Sequence, residues 1–361
     1  MVLPGPSGRY GQKIGEEHLP SLPSKEKRFQ MKRTFVPVLV LILTALLAGS
    51  AQAAEKALVL KAAHVLPEDS AFHLGLLEAA RVLDQKSGGT MKIEIYSSGQ
   101  LGDNRQLLEQ LQTGLIDLQV NTYAVVSGSF TRAGEFFYLP FLFKDDRAVE
   151  QILDGEIGDE ICAELEKINC VCLAWWTQGW RHLTTTNRAV QAPNDIKGLK
   201  IRTMDNPIFI DFFKTMGASP TPVSYSELLA ALQQGVVDGQ ENPYMNIKQA
   251  GLYEVQKYII ETAHVYDPSP FFVSKHMWNQ LNDQQKRWLK ESAVEARDYM
   301  RELTRTMDAE IKAELLKNGK TVIIELTPEQ KAEFRAAVEP VYQNWAPKYN
   351  GMVERIMELQ K

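Results

Sequence analysis

Two arginines and one asparagine are the residues of this chain best placed to act on a small molecule. Arg202 closes Gly198-Leu199-Lys200-Ile201-Arg202, where a turn glycine precedes an alternating Leu/Ile strand. Arg181 follows the apolar strand Cys170 to Trp176 by a few residues. A guanidinium presents a rigid fork of donors that matches two carboxylate oxygens, and its charge persists at any physiological pH. The chemistry this supports is capture of an organic anion, although an arginine in a strand is equally well a surface charge or half of a structural ion pair. Asn242 lies in the polar turn Asp238-Gly239-Gln240-Glu241-Asn242-Pro243, after the short apolar strand Val236-Val237, where an amide can hydrogen-bond what an arginine holds.

Catalytic patterns fail on inspection. There is no G-x-S-x-G elbow, no H-E-x-x-H and no G-x-G-x-x-G. Gly319-Lys320-Thr321 looks like the end of a phosphate loop, but Glu314 occupies the place of its first glycine and a helical pattern precedes it. The six histidines are scattered, and none lies near the three cysteines, so neither a metal nor a cofactor is expected. Cys162 falls in a helical pattern with Ile157, Ile161 and Leu165, and Cys170 and Cys172 in the strand after it. One bridge across that corner and three buried thiols remain equally open readings. An enzyme acting on acidic sugars, with Asp238 and Glu241 as its carboxylates, is the rival class; turn formation and capping explain those two residues more simply.

The elements that must position the arginines alternate between strand and helix. Ala57 to Val65 reads as a first strand, ending near His64. A helix from about Phe72 to Lys86, a strand from Met91 to Tyr96, a loop from Ser97 to Gly102, a helix from about Asn104 to Thr113 and a strand from Leu115 to Asn121 follow. Such alternation implies α/β architecture with parallel strands. Phe136 to Phe143 is dense in aromatics and reads as core. Gly179 to Thr186 alternates bulky and polar residues, as an extended crossing between two domains would, and marks the expected hinge. Pro207 to Met216 and Ser224 to Gln234 read as helices, the second with Ser224 as its cap, and the segment between them as a turn. Asp283 to Asn318 is helical throughout with Gly319 as its stop, approaching about 50 Å at about 1.5 Å per residue.

Three matches in order, Gly198-Leu199-Lys200-Ile201-Arg202, Gly217-Ala218-Ser219-Pro220-Thr221-Pro222 and Asp238-Gly239-Gln240-Glu241-Asn242-Pro243, resemble the periplasmic substrate-binding subunits (DctP-like) of tripartite ATP-independent (TRAP) transporters. The likeness extends through Ser98-Gly99-Gln100-Leu101-Gly102-Asp103 and Gly179-Trp180-Arg181, and covers roughly Ala57 to the C-terminus. It implies a two-lobe periplasmic binding protein fold with mixed sheets, hinge-linked lobes and a long domain-spanning helix. The expected division is residues 54–178 with about 268–306 in lobe I, and 179–267 with about 307–361 in lobe II. By the same resemblance Arg202 clamps the ligand carboxylate, Arg181 is a second contact and Asn242 hydrogen-bonds the ligand. Tyr225 would line the pocket, and His64 and Thr122 stand where relatives carry polar contacts. Trp180, with Trp175 and Trp176, falls near the presumed cleft, to stack on a ring or merely to pack the hinge. The implied function is capture of an organic acid and its delivery to membrane permease subunits, without catalysis; a ligand-sensing lobe is the weaker rival. Flat aromatic faces beside neutral hydrogen-bonding groups favour a sugar acid over a C4 dicarboxylate or an aromatic acid.

Composition agrees with an exported binding protein. At 361 residues the chain exceeds one ordinary core. Lys32-Arg33, the apolar run Phe35 to Leu47 and the small-residue site Ala51-Gln52-Ala53 read as a cleavable signal peptide over residues 31–53, which places the remainder in the periplasm. Residues 1–30, rich in Gly, Pro and Ser, read as a mis-started leader before Met31. Seven of the 40 basic and three of the 45 acidic residues fall in the first 53, leaving a net charge of −9 beyond them, which disfavours nucleic acid as a partner.

Overall fold

A computed structural model describes residues 56–361; the leader and signal peptide expected over residues 1–53 lie outside the described residues. The order is β1 (Leu58–Ala63), α1 (Ala71–Ser87), β2 (Met91–Tyr96), α2 (Asn104–Thr113), β3 (Leu118–Val120), α3 (Tyr123–Ser129), α4 (Asp146–Leu153), α5 (Glu156–Leu165) and β4 (Cys170–Thr185). Then come β5 (Lys200–Thr203), α6 (Pro207–Thr215), β6 (Ser219–Pro222), α7 (Leu228–Gln233), β7 (Gly239–Asn242), α8 (Tyr244–Gln249) and β8 (Tyr258–Ser274). The chain ends with α9 (Lys275–Gln280), α10 (Asp283–Asn318), β9 (Val322–Ile324), α11 (Pro328–Ala337), α12 (Glu339–Trp345) and α13 (Met352–Leu359). The helix ends follow local chemistry. Ser70 caps α1, Asp103 and Gln106 form a capping box on α2, and Asn282 with Gln285 does the same for α10. Gly319 then stops α10 in the left-handed region, at φ 70°.

The fold is α/β and two-lobed, but one continuous sheet joins the lobes. Its strand order is β2-β1-β3-β8-β4-β7-β5-β6, with β9 added on β8. Parallel blocks β2-β1-β3 and β7-β5-β6 flank the long antiparallel pair β4–β8, so the sheet is mixed rather than wholly parallel. The first half of β4 pairs with the end of β8, as in Trp175 with Pro270, and the second half pairs with its start, as in Thr184 with Ile259. Between Thr177 and Trp180 the register slips, and Gly179 there adopts φ +87°. The segment expected as a crossing is thus a strand in its own right. Several elements differ from the sequence expectation, among them β7: Gly239–Asn242, read as part of a polar turn after a short strand Val236-Val237, is itself the strand. Ser219-Pro220-Thr221-Pro222, read as a turn, is the edge strand β6, where proline's missing N–H faces no partner. Ser224 sets no side-chain cap: its Oγ bonds the Glu227 carboxylate at 2.7 Å before a short 3₁₀ turn.

Alternation along β4 and β8 covers both sheet faces. Trp175, Phe272 and Ile260 enter one apolar cluster, while Trp176, Phe271 and Ile259 enter the other. The aromatic segment Phe136 to Phe143 packs into the first cluster, with Phe137 edge-on to Trp175. The cysteines are three free thiols, Cys170 fully buried and Cys162 and Cys172 partly so. Helix α10, about 54 Å long, lies on the second face against α1, β4 and α8. Arg301 holds Asp154 at 2.6 Å and the Trp175 carbonyl at 3.0 Å, while Lys312 reaches Glu261 and Glu325.

Trp176 bolts these layers together, donating its indole N–H to the Ala293 carbonyl of α10 at 3.0 Å. It lies against Gly75 of α1, where an added Cβ would come within 2.8 Å of the ring. Trp176→Ala should therefore lower unfolding free energy by about 3 to 5 kcal/mol, and Gly75→Val by about 1 to 3 kcal/mol through overpacking, in urea titrations followed by far-UV circular dichroism. Losses below about 1 kcal/mol would show that the contact carries little of the fold.

Candidate functional site

A cavity of about 1000 Å³ lies among the loops between the two parallel blocks. Its wall on the β1–β3 side includes Phe72, the stretch from Ser98 to Gln106 without every residue, and Thr122 and Val125. On the β5–β7 side it includes Arg202, Met204, Tyr225, Asn242 and Asn246, and Gln178 and Arg181 come from β4. Loops at strand ends are where polar groups can converge without disturbing a core.

Arg181 is 1% exposed and almost fully committed. Its Nε and Nη2 grip the Glu241 carboxylate at 2.5 and 2.8 Å, and Nη2 also meets the Glu241 carbonyl at 2.7 Å and Asn242 Oδ1 at 3.1 Å. Nη1 donates to Asp267 Oδ2 at 2.6 Å. Of its five N–H groups one on Nη1 is left over, so Arg181 can offer a ligand a single bond and not a fork. Burial works to raise the Glu241 pKa, but Arg181 and His264 outweigh it and hold the carboxyl below its usual value. For Asp267 burial prevails over Arg181 and leaves the carboxyl raised. Thr122, Tyr138 and Gln178 complete its shell at 2.7, 3.1 and 3.3 Å. Glu241 is thus the buried partner of an arginine, and Asp238 binds the Lys200 amide at 2.8 Å in a turn; neither stands on the cavity wall as a hydrolytic pair requires.

Arg202 differs. It is 3% exposed and its Nε donates to the Val223 carbonyl at 2.8 Å, which fixes the plane of the guanidinium. Among the described residues no acceptor meets Nη1 or Nη2, and no carboxylate lies within salt-bridge distance. Burial pushes its pKa down to about 10, so it remains charged at neutral pH. A buried charge with an open fork on a cavity wall is costly unless an anion meets it.

The other expected residues divide. Asn242, Tyr225 and Thr122 line the same cavity as Arg202 and Arg181. The Tyr225 hydroxyl is buried without a partner among the described residues. The Thr122 hydroxyl proton is used on Asp267, leaving it only an acceptor for a ligand. His64 and Trp180 do not line the cavity, which corrects their assignment as wall residues. His64 is fully buried with Nε2 3.2 Å from His73 Nδ1, and Phe72, edge-on to its ring, reaches the wall instead. Trp180 turns outward, its indole donating to Asp146 at 2.9 Å while it packs on Tyr266. Trp175 and Trp176 are core, so of the residues expected to offer an aromatic face only Tyr225 is on the wall, joined there by Phe72. Gln178 and Asn246 were missed. Asn246 lies in the first turn of α8, just past Pro243, and its Nδ2 is 3.3 Å from Asn242 Oδ1.

Buried histidines make stability depend on pH. Burial, aided by His264 and nearby cations, pushes His182 down to about 3 from its ordinary 6.5, with Nδ1 accepting from the Ala263 amide at 3.2 Å. Between these values the unfolded chain binds a proton that the folded one does not, so this stabilisation is present above pH 6.5 and lost as pH falls toward 3. Asp308, raised to about 7 by burial, acts with the opposite sign, losing stability as pH rises, so the histidine is best read as a difference. His182→Asn should flatten the fall in unfolding free energy between pH 6.5 and 4.5 by about 2 kcal/mol relative to wild type. Parallel pH profiles would assign the acid sensitivity elsewhere.

The sequence profile of the bacterial extracellular solute-binding protein family 7 (DctP) matches residues 62–348. The C4-dicarboxylate-binding protein DctB of Bacillus subtilis is 30% identical over 84% of this chain and 87% of its own. The sialic acid-binding periplasmic protein SiaP of Vibrio cholerae is 34% identical over 74% of this chain and 81% of its own. Among solved structures, the sugar acid binding protein of Advenella mimigardefordensis in complex with galactonate superposes with a TM-score of 0.81 at 28% identity, covering 84% of this chain and 99% of that one. No described helix is long and apolar enough to cross a membrane. The chain belongs to family 7 of the bacterial extracellular solute-binding proteins, the extracytoplasmic substrate-binding subunits of tripartite ATP-independent periplasmic transporters.

Proposed function

We propose that this protein captures a hydroxylated monocarboxylic acid of the sugar-acid type and hands it to the permease subunits of a TRAP transporter. The observation that carries the reading is the open fork of Arg202, buried on the cavity wall with only its Nε engaged. A carboxylate on Nη1 and Nη2 supplies the direct contact that no carboxylate among the described residues makes. Two features favour one carboxylate over two. The remaining wall carries Asp103, Asp205 and Glu227, and its further cation, Arg105, is exposed and paired with Glu109 at 3.3 Å. Relatives that bind sialic acid and galactonate agree with this choice, and DctB marks the dicarboxylate alternative.

Closure belongs to the same reading. We place the hinge at the slip between Thr177 and Trp180, with lobe I built from residues 54–178 and about 268–306 and lobe II from 179–267 and about 307–361. Export through cleavage after Ala53 puts the protein in the periplasm. Mass spectrometry of periplasmic protein should find Ala54 at the N-terminus, and retention of residues 31–53 would reject cleavage.

The decisive measurement is calorimetric titration with D-galactonate, D-glucuronate and succinate. Wild type should bind at least one sugar acid more tightly than succinate; succinate binding tightest would overturn the ligand choice and keep the transporter assignment. Arg202→Lys should weaken the best acid by about 2 to 5 kcal/mol, roughly thirty- to several-thousand-fold, because lysine has no fork. Near-native affinity would remove Arg202 from the role.

A further inference from the structure

We infer that Asn246 is a specificity-determining residue of the cleft, its Oδ1 accepting a hydrogen bond from a hydroxyl of the bound acid. The inference rests on the reading of the cavity as an organic-acid site, and adds the group that reads the acid's hydroxylation. Asn246 lies on α8, is 3% exposed and lines the cavity. Its Oδ1 is buried and meets no donor among the described residues.

The orientation of that amide follows from its neighbours. Asp267 Oδ2, already held by Arg181, is an acceptor, so Gln178 must turn Nε2 to it, at 3.3 Å. Gln178 Oε1 then faces Asn246 and requires a donor, which Asn246 Nδ2 supplies at 2.8 Å. The same Nδ2 lies 3.3 Å from Asn242 Oδ1, an acceptor already used by Arg181 Nη2. Flipping Asn246 would set its oxygen against two other oxygens. The chain Arg181, Asp267, Gln178, Asn246 therefore ends in an acceptor whose only suitable partner is a donor. A hydroxyl qualifies, and an ionised second carboxylate does not. A buried acceptor of this kind discriminates strongly, because a ligand without the hydroxyl leaves it unpaired.

The test is a cycle between protein and ligand. D-Galactonate and its monodeoxy analogues are titrated into wild type, Asn246→Ser and Asn246→Leu, with folding checked by thermal unfolding. Wild type should bind galactonate at least about tenfold tighter than one of the analogues, and the variants should bring that ratio to within about twofold by weakening galactonate while leaving that analogue nearly unchanged. A crystal structure of wild type with galactonate, which needs no variant to fold, should place a ligand hydroxyl within about 3.2 Å of Asn246 Oδ1. Galactonate bound with only a water on Oδ1, or wild-type ratios kept in both variants, overturns the role and leaves the organic-acid reading standing. Wild type that binds no hydroxylated acid removes the reading and the role together.

Discussion

The site depends on the ion cluster that buries Arg181 between Glu241 and Asp267. Two carboxylates around one guanidinium carry one negative charge more than they neutralise, and Arg202 brings the buried set to zero. Breaking such a pair by removing one member leaves an uncompensated buried charge, whereas Glu241 and Asp267 tolerate burial because Arg181 and neighbouring donors bond their oxygens. The cluster draws on β4, β7 and β8, the strands where the two parallel blocks meet.

From this arrangement follows a division of labour between arginines that look alike in sequence. Arg181 organises; its donors are spent on protein, and through Asp267 and Gln178 it dictates which way the amide of Asn246 points. Arg202 has its Nε pinned by a backbone carbonyl, while its fork meets no acceptor among the described residues. A flexible cation would lose more conformational freedom on binding than one whose plane is already set. In the function we propose, the neighbouring neutral groups, Tyr225, Asn242 and Asn246, read what is attached to the carboxylate without adding charge.

The long β4–β8 pair gives these groups a common frame. Most of its residues are buried on both faces, yet its register slips beside Gly179, whose backbone lies close to Thr304 and Asp308 of α10. The register also shifts between Cys172 and Ala174 and between Arg181 and Leu183, and such irregularities let a sheet bend without losing its pairing, which suits the hinge we propose.

Hydrophobic alternation and turn glycines determined the elements from β1 to β3, β5, α6 and α10, since these signals act over a few residues, and Gly319 ends α10 where local chemistry demands it; the long central strand β8 was not read from them. Motif spacing likewise singled out Arg202 and Asn242, and family resemblance drew Tyr225 and Thr122 to the same cavity wall. Partner choice was decided only by tertiary structure. Nothing near Arg181 in sequence reveals that Glu241, sixty residues away, and Asp267, eighty-six away, consume its donors. The same holds for His64, just past the end of β1, and Trp180, within β4, whose side chains could face either way; packing against His73 and Asp146 turned them from the cavity. Proline-rich β6 was read as a turn because propensity is local, while its pairing with β5 depends on a neighbour that folding brings alongside.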